Sequence, residues 1–580
     1  MTSRRALAWT ALFIALPLLV NHPSWSEFSG SVPSNLGDPA LVIWILEWDW
    51  HALTTDPGGL FDAPVFWPAE NTLAYTENLL PLAPIYGTFS AITGNWTLSL
   101  NLLLLTLSSI SLAGTWLLVH WLSGRRDLAL LAAVIYTFSS YSLGQTGHPQ
   151  LQALGFVPLG FWALFRVIDE PTVRRGFGLG LATLAVTFSA LYYGLAFALS
   201  VILVVAAALI RQRGRFTRDQ FLALATAGAT VVGVAVPLML PYLELRDAGI
   251  GARGYEPQNS LFPLDLITPA RGNWLYGTSL DGINSLGRPG AHAVFPGFLA
   301  LLLGIVGLVL VLASWRRDRT GSGPVLPTDW HDRRGHLVDM IVCGLVVGVL
   351  SAGPGSSDIP LPFRVFHRFV PGFDGIRVTS RFVVIPLLVG AVLAAVGLHW
   401  LLTRREWTRS WIPTALVVGA TAAHLGEMIG TPYYEPLRAD ATTLAVYEEL
   451  NRRPPGVVLE LPVLGDGFVV PWGYTEAPRL VYATTDWNTR FNGYSGDVPA
   501  GYFETAAVLA HFPAPEAVDL AESIGVRYVL VHTVPHNQGI GYDPAQVDQI
   551  LANLPEWLTA EPHGTSYLID LEGGQTPFSE

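Results

Sequence analysis

Apolar runs long enough to cross a bilayer recur along this chain, and they limit its possible folds more than any other feature. A crossing helix needs roughly 17–25 predominantly apolar residues. Segments 6–22, 97–122, 127–141, 153–167, 177–194, 195–210, 221–243, 295–314, 337–352, 383–402 and 412–429 approach that requirement. Charge is scarce: 13% of the 580 residues are charged against 51% hydrophobic, about half the charged fraction of an ordinary soluble domain. The pattern predicts an α-helical polytopic membrane protein with about eleven transmembrane helices.

The connections supply an orientation. Alternate ones are short and carry arginine: "SGRRD" (123–127), "IDEPTVRRG" (168–176), "RQRGRFTRDQ" (211–220), "WRRDR" (315–319) through "HDRRGH" (331–336), and "TRREWTR" (403–409). With Arg4 and Arg5 they fall on one side, which the positive-inside bias assigns to the cytoplasm. The N-terminus has two readings, a signal peptide or an uncleaved first span. Arg4 and Arg5 precede an apolar stretch without a small-x-small cleavage site, and this favours the uncleaved span.

Some classes are excluded. The net charge of −12 comes with no basic stripe, so nucleic acid is not a partner. Every fixed cation is arginine and lysine is absent, from which no function follows. The single Cys343 lies in an apolar run and rules out both a disulfide framework within one chain and a cysteine-based metal site. No Walker A loop, HExxH, or GxSxG in a strand-turn-helix context is present.

The other side receives everything long: residues 23–96, 142–152, 244–294, 353–382 and the tail from Gly430. In the first of these, "ALVIWILEWDWHAL" (40–53) is too short to span. It is expected to lie at the interface, with Trp44, Trp48 and Trp50 at headgroup level. "ENLLPLAPIYGTFSAI" (77–92) is expected as a second short interfacial or re-entrant piece, broken by Pro81 and Pro84. The tail changes character. "ATTLAVYEELNRRPPG" predicts a helix ended by Pro454 and Pro455, and "GVVLELPV" (456–463) a buried strand. "EAVDLAESIG" (516–525) predicts a helix and "VRYVLVHT" (526–533) another strand. Two domains follow: residues 1–430 as the transmembrane part, and residues 431–580 as a small extracytoplasmic α/β domain.

Polar residues on the outer segments are the candidates for chemistry. In "SNLGDPALVIWILEWDW" (34–50), Asp38 precedes Pro39 at the head of a short helix. It reads as an N-cap, as a carboxylate poised to act as a base at the membrane surface, or as both. Glu47 and Asp49 are two apart and so point to different helix faces; at most one joins Asp38, and a solvated face is the plainer expectation for each. His148 and Gln150, in the turn "SLGQTGHPQLQ" (142–152), stand at the mouth of the bundle, as polar turn residues or as hydrogen-bond partners of a sugar or phosphate. In "FDGIRVTSRFVVIPL" (373–387), Arg377 and Arg381 are four apart at the outer end of a predicted span. On one helix face they would make a fork suited to phosphate; the alternative is two anchors to lipid headgroups or a pair with Asp374. Arg364, His367 and Arg368 add to the positive field. Loop 244–294, with Tyr255, Glu256, Asn259, Asp265, Arg271 and His292, and the tail's "WNTRFNGYSGDVPAGYF" (487–503) have the polar-aromatic composition of sugar-contacting loops and equally of ordinary exposed turns.

The layout resembles that of the integral-membrane C-type (GT-C) glycosyltransferases, in particular bacterial proteins related to protein mannosyltransferases and the YfhO-like membrane proteins. The resemblance covers about residues 1–430 and rests on "LGDPALVIWILEWDW" near the start of a long first outer loop, on "GHPQLQ" and on "GIRVTSRF". The tail's "VLELPV", "NGYSG" and "VRYVLVH" look like the outer domain of the same group. The resemblance implies that Asp38 is the catalytic base or a ligand to a divalent cation such as Mg or Mn. Many members carry paired acids here, whereas Asp38 is followed by Pro39, so Glu47 or Asp49 would have to supply the second carboxylate. It further implies transfer of a sugar from a polyprenyl-phosphate donor to a glycan, lipid or protein acceptor at the outer face of the bacterial cytoplasmic membrane. Two other classes compete: a transporter or flippase of a lipid-linked or polar solute, and a non-catalytic scaffold for cell-envelope assembly. Transporters keep ionisable groups within their spans and often show internal repeats. Here the spans hold few such groups, Asp339 and Glu427 among them, and no repeat is evident.

Overall fold

A computed structural model describes residues 3–20, 22–251, 257–276, 292–320, 326–355, 360–437, 440–463, 470–533 and 541–572. Among these residues, eight helices are long and apolar enough to cross a membrane: Trp96–Ser123, Arg126–Gly144, Pro149–Asp169, Leu191–Arg211, Arg218–Asp247, Phe298–Arg316, Arg334–Ser351 and Thr379–Thr403. The three other expected spans fall on shorter apolar or mixed helices, Ser3–Val20, Val173–Ser189 and Ile412–Met428.

The chain forms two compact units. One comprises Met1–Trp25, Leu103–Met239 and Ala252–Tyr433; the other comprises Ser26–Leu102, Leu240–Gly251 and Tyr434–Glu580. The division is not the simple cut at residue 430 expected from composition, because the first outer loop packs with the tail. The covalent order hides this grouping, and hydrogen bonds reveal it. Strand β1 (Ser31–Pro33), in the first loop, pairs antiparallel with β2 (Tyr434–Pro436), at the start of the tail.

The first unit is helical. Its helices meet through glycines where backbones approach closely, as membrane helices do when no hydrophobic drive presses them together. Gly307 on the Phe298–Thr320 helix faces Leu393 of the Val384–Thr403 helix so closely that a Cβ would lie 2.0 Å from the Leu393 carbonyl oxygen. Gly397 meets the Leu303 carbonyl in the same way. The outward surface keeps large apolar side chains such as Ile202, Phe221, Leu302 and Leu345 exposed, as a lipid-facing surface does.

The second unit contains the Gly37–Thr55 helix, packed against the Ala83–Thr93 helix and the tail helix Val470–Ala483. The tail adds a four-stranded sheet in the order β3 (Val457–Leu461), β4 (Val526–His532), β6 (Ser566–Asp570), β5 (Ala560–His563). Strands β3 and β4 run parallel, and the other pairings are antiparallel. β3 and β4 and the helices beside them, Ala441–Leu450 and Pro515–Ser523, fall where apolar patterning and proline breaks place them.

Candidate functional site

The Gly37–Thr55 helix overturns two expectations about the first loop. Asp38 is not its N-cap. The capping position is Leu36, and Asn35 Oδ1 instead accepts the Gly37 N–H at 3.0 Å. Asp38 sits in the first turn, half-buried, where the helix dipole favours a negative charge. Its Oδ1 accepts a hydrogen bond from the hydroxyl of Tyr494, on the tail's "NGYSG" loop, at 3.2 Å.

Glu47 and Asp49 do not form a wet face. Glu47 is half-buried, and its Oε1 accepts from Tyr86 Oη at 2.8 Å and Ser90 Oγ at 2.6 Å, both on the Ala83–Thr93 helix. Burial raises its pKa, against the opposing pull of these two hydrogen bonds. Asp49 is 0% exposed, and neither carboxyl oxygen has a hydrogen-bond partner among the described residues. Burial alone pushes it well above the usual carboxylate range. Along one helix, Asp38 is about 14 Å from Glu47 and about 16 Å from Asp49. Neither reaches Asp38 to share a divalent cation. Among the described residues, no group of three or more His, Cys, Asp or Glu is placed to hold a metal ion.

The tryptophans are also inside. Trp44 is buried, Trp48 Nε1 donates to the Leu60 carbonyl at 2.8 Å, and Trp50 lies so close to Gly87 that a Cβ there would sit 2.2 Å from its ring. Packing engages all three, and Trp48 and Trp50 stay half-exposed. His51 stacks on the tail's Trp487 with ring centroids 4.3 Å apart.

The helical unit holds the other candidates. Arg377 and Arg381 do not share a helix face: Ile376 and Val378 have extended backbone, and a short 3-10 turn starts only at Thr379. Arg381 is buried with its guanidinium 4.8 Å from the centre of the Tyr192 ring, while Arg377 is half-buried. Arg364 donates to the Pro354 carbonyl at 2.8 Å. His148 is half-buried ahead of the 3-10 helix Pro149–Gly155, together with Gln150. The turn is tied by Gln152 instead, which exchanges hydrogen bonds with Ser142. In the loop before Phe298, Asp265 is buried 3.6 Å from His292 and accepts the Phe262 N–H at 2.7 Å, whereas Arg271 is exposed; Tyr255 and Glu256 lie outside the described residues.

The two acids noted near span ends are both engaged. Asp339 receives a bidentate pair from Arg211 at 2.5 and 2.7 Å. Glu427 accepts from Tyr276 Oη at 3.0 Å and from the Phe298 N–H at 2.7 Å. A cavity of about 190 Å³ near Arg211 is lined by Asp169, Asp332 and His336 as well. Its charges compensate one another, with Asp169 taking both Arg333 and His336.

Two groups escaped detection. The first is Tyr494, whose partner is 456 residues away in the chain. The second is a buried charge network beside β3. Glu460, in the middle of an apolar strand, is bonded by Arg490 Nε at 2.8 Å, by His532 Nε2 at 2.9 Å and by Tyr447 Oη at 2.8 Å. Burial pushes Glu460 up, but the His532 hydrogen bond and the Arg490 charge outweigh it and hold the group at about 2. Arg490 also grips Asp486, and Arg479 grips Glu476. Glu476 is pushed up to about 7, chiefly by burial. A charged residue inside "VVLEL" was the available signal.

No protein-family profile and no curated protein matches the chain. Solved structures do. The arabinofuranosyltransferase AftD from Mycobacteria aligns over 98% of this chain at 15% identity with a TM-score of 0.54, and its R1389S mutant (class 2) at 0.55. This chain spans about 40% of the AftD chain. ArnT from Cupriavidus metallidurans bound to undecaprenyl phosphate aligns over 98% of both chains, with a TM-score of 0.39 at 13% identity. The chain is therefore a multi-pass membrane protein that shares its fold with part of AftD.

Proposed function

We propose that this protein is a membrane glycosyltransferase that moves a sugar from a polyprenyl-phosphate donor to an acceptor at the outer face of the cytoplasmic membrane. The observation that carries the proposal is a half-exposed carboxylate, Asp38, at the head of a helix whose first turns are otherwise buried, in a fold shared with a glycosyltransferase over almost the whole chain. A buried helix of apolar residues and tryptophan gives its first turn a rigid base, which catalytic geometry requires.

In the proposed reaction Asp38 takes the proton from an acceptor hydroxyl as that oxygen bonds to the anomeric carbon. The bond from that carbon to the donor phosphate breaks, and the polyprenyl phosphate leaves with the electron pair. Displacement in one step inverts the anomeric centre. Asp38 performs its role without a second carboxylate, since Glu47 and Asp49 are out of reach along the helix. Arg377 is proposed to contact the donor phosphate, where a guanidinium stabilises the charge developing on the leaving group. Arg381, packed under Tyr192, supports the segment instead.

The test uses the full chain in membranes of a deletion host, supplied with radiolabelled polyprenyl-phosphate arabinofuranose and, in parallel, the corresponding mannose donor. Asp38→Asn is expected to lower transfer by about 10²–10⁴-fold at unchanged protein level. Wild-type transfer by Asp38→Asn would remove Asp38 as the base. Arg377→Ala is expected to raise the donor KM; an unchanged KM makes Arg377 a lipid anchor.

A further inference from the structure

We propose that Tyr494 is the positioning residue for Asp38, so that the tail's "NGYSG" loop completes the catalytic site begun by the first outer loop. This rests on Asp38 being the base. The loop is pinned on both sides of Tyr494. Before it, Asn492 pairs with the backbone of β3 like an extra strand residue: its Oδ1 accepts the Glu460 N–H at 2.7 Å and its Nδ2 donates to the Glu460 carbonyl at 2.9 Å. After it, the Asp497 N–H donates to the Tyr75 carbonyl at 3.2 Å.

The ring itself is fixed by shape. Trp472 meets it edge-on, with centroids 4.9 Å apart and planes at 79°. Gly473 lies beneath it, and a Cβ there would stand 2.7 Å from Tyr494 Cζ and 2.9 Å from its hydroxyl oxygen. Glycine at 473 thus leaves the room that lets the phenol reach Asp38. Both Trp472 and Gly473 belong to the Val470–Ala483 helix, which packs on the Gly37–Thr55 helix that carries Asp38. The same helix pair therefore sets the position of the donor and of the acceptor of this hydrogen bond.

A short carboxylate side chain turns about two bonds, and a base must aim its lone pair within a few tenths of an ångström. A hydrogen bond from a rigid phenol to Oδ1 fixes the plane of the Asp38 carboxylate and with it the direction of attack on the acceptor proton. Tyr494 touches no reacting atom in this scheme; it acts through Asp38.

The experiment measures initial rates in membranes containing the full chain, with the two radiolabelled polyprenyl-phosphate donors named above. Tyr494→Phe keeps the ring and removes the hydroxyl. It is expected to lower kcat roughly tenfold, the scale of one lost hydrogen bond to a charged group, with KM for the donor within about twofold and thermal stability unchanged. Gly473→Ala keeps the hydroxyl and displaces the ring, and is expected to reproduce the kcat loss. Wild-type kcat in both variants, or a change confined to KM, overturns the proposal. The two levels fail separately. Full transfer by Asp38→Asn removes the base itself, whereas an inactive Asp38→Asn with a fully active Tyr494→Phe removes only Tyr494.

Discussion

Asp49 and Glu460 are both fully buried carboxylates of the same unit, yet they solve burial in opposite ways. Glu460 stays ionised because Arg490, His532 and Tyr447 each bring a donor to it. Asp49 has no hydrogen-bond partner among the described residues, and burial shifts it the other way, well above the usual carboxylate range. The contrast shows that burial alone does not set a charge state; the number of donors delivered with the burial does. A neutral buried acid weakens its unit as pH rises, whereas a bonded buried anion weakens it when a partner is lost.

Breaking the Glu460 network offers the largest effect. Arg490→Met leaves Glu460 and Asp486 without their guanidinium and is expected to destabilise the unit by about 3–5 kcal/mol, seen as a lowered unfolding midpoint in chemical denaturation. A midpoint close to wild type would show that the network is dispensable and that the contrast with Asp49 has no energetic content.

Asp49 sharpens the comparison from the other side. Its folded-state pKa lies well above the ordinary carboxylate value of 3.8, so the folded state binds the proton more tightly than the unfolded chain does. The stability this gives is complete below about that value and is lost as pH rises toward the folded pKa. Asp49→Asn is expected to stabilise the protein at pH 8 by about 1–3 kcal/mol relative to wild type and to have little effect near pH 4. Melting temperatures measured across that range check it; a difference that does not change with pH would mean that Asp49 is ionised in the fold.

Glu476 gives the smallest shift. It rises from 4.5 to about 7, with burial the main cause. Folding therefore gains from its proton below pH 4.5, and the gain disappears between 4.5 and about 7. Glu476→Gln is expected to flatten the stability profile in that window only. Because Arg479 bonds Glu476 at 3.0 Å, the amide also loses an ion pair, so its net effect at neutral pH is expected to be small.

The same contrast marks what a linear reading can reach. Eight spans, strands β3 and β4 of the tail with the helices Ala441–Leu450 and Pro515–Ser523, and Asp38 at the head of a helix were all legible. Each depends on residues within a few turns of one another. Glu47 and Asp49 were misjudged because helical periodicity says which face a residue occupies and not what covers it. Here the Ala83–Thr93 helix supplies Tyr86 and Ser90 to Glu47, and Asp49 is buried completely. The Arg377–Arg381 fork failed for a local reason: extended backbone at Ile376 and Val378 interrupts the helix that a four-residue spacing assumes.

The sequence by itself determined a polytopic helical chain and the strands β3 and β4 of its tail, since apolar length and strand patterning are local properties. Only the tertiary structure decided that the first outer loop and the tail are one unit, and that Tyr494 meets Asp38 across 456 residues. It alone decided that one buried acid has three side-chain donors while another has none. Such contacts follow from which segments pack together, and no spacing along the chain encodes that choice.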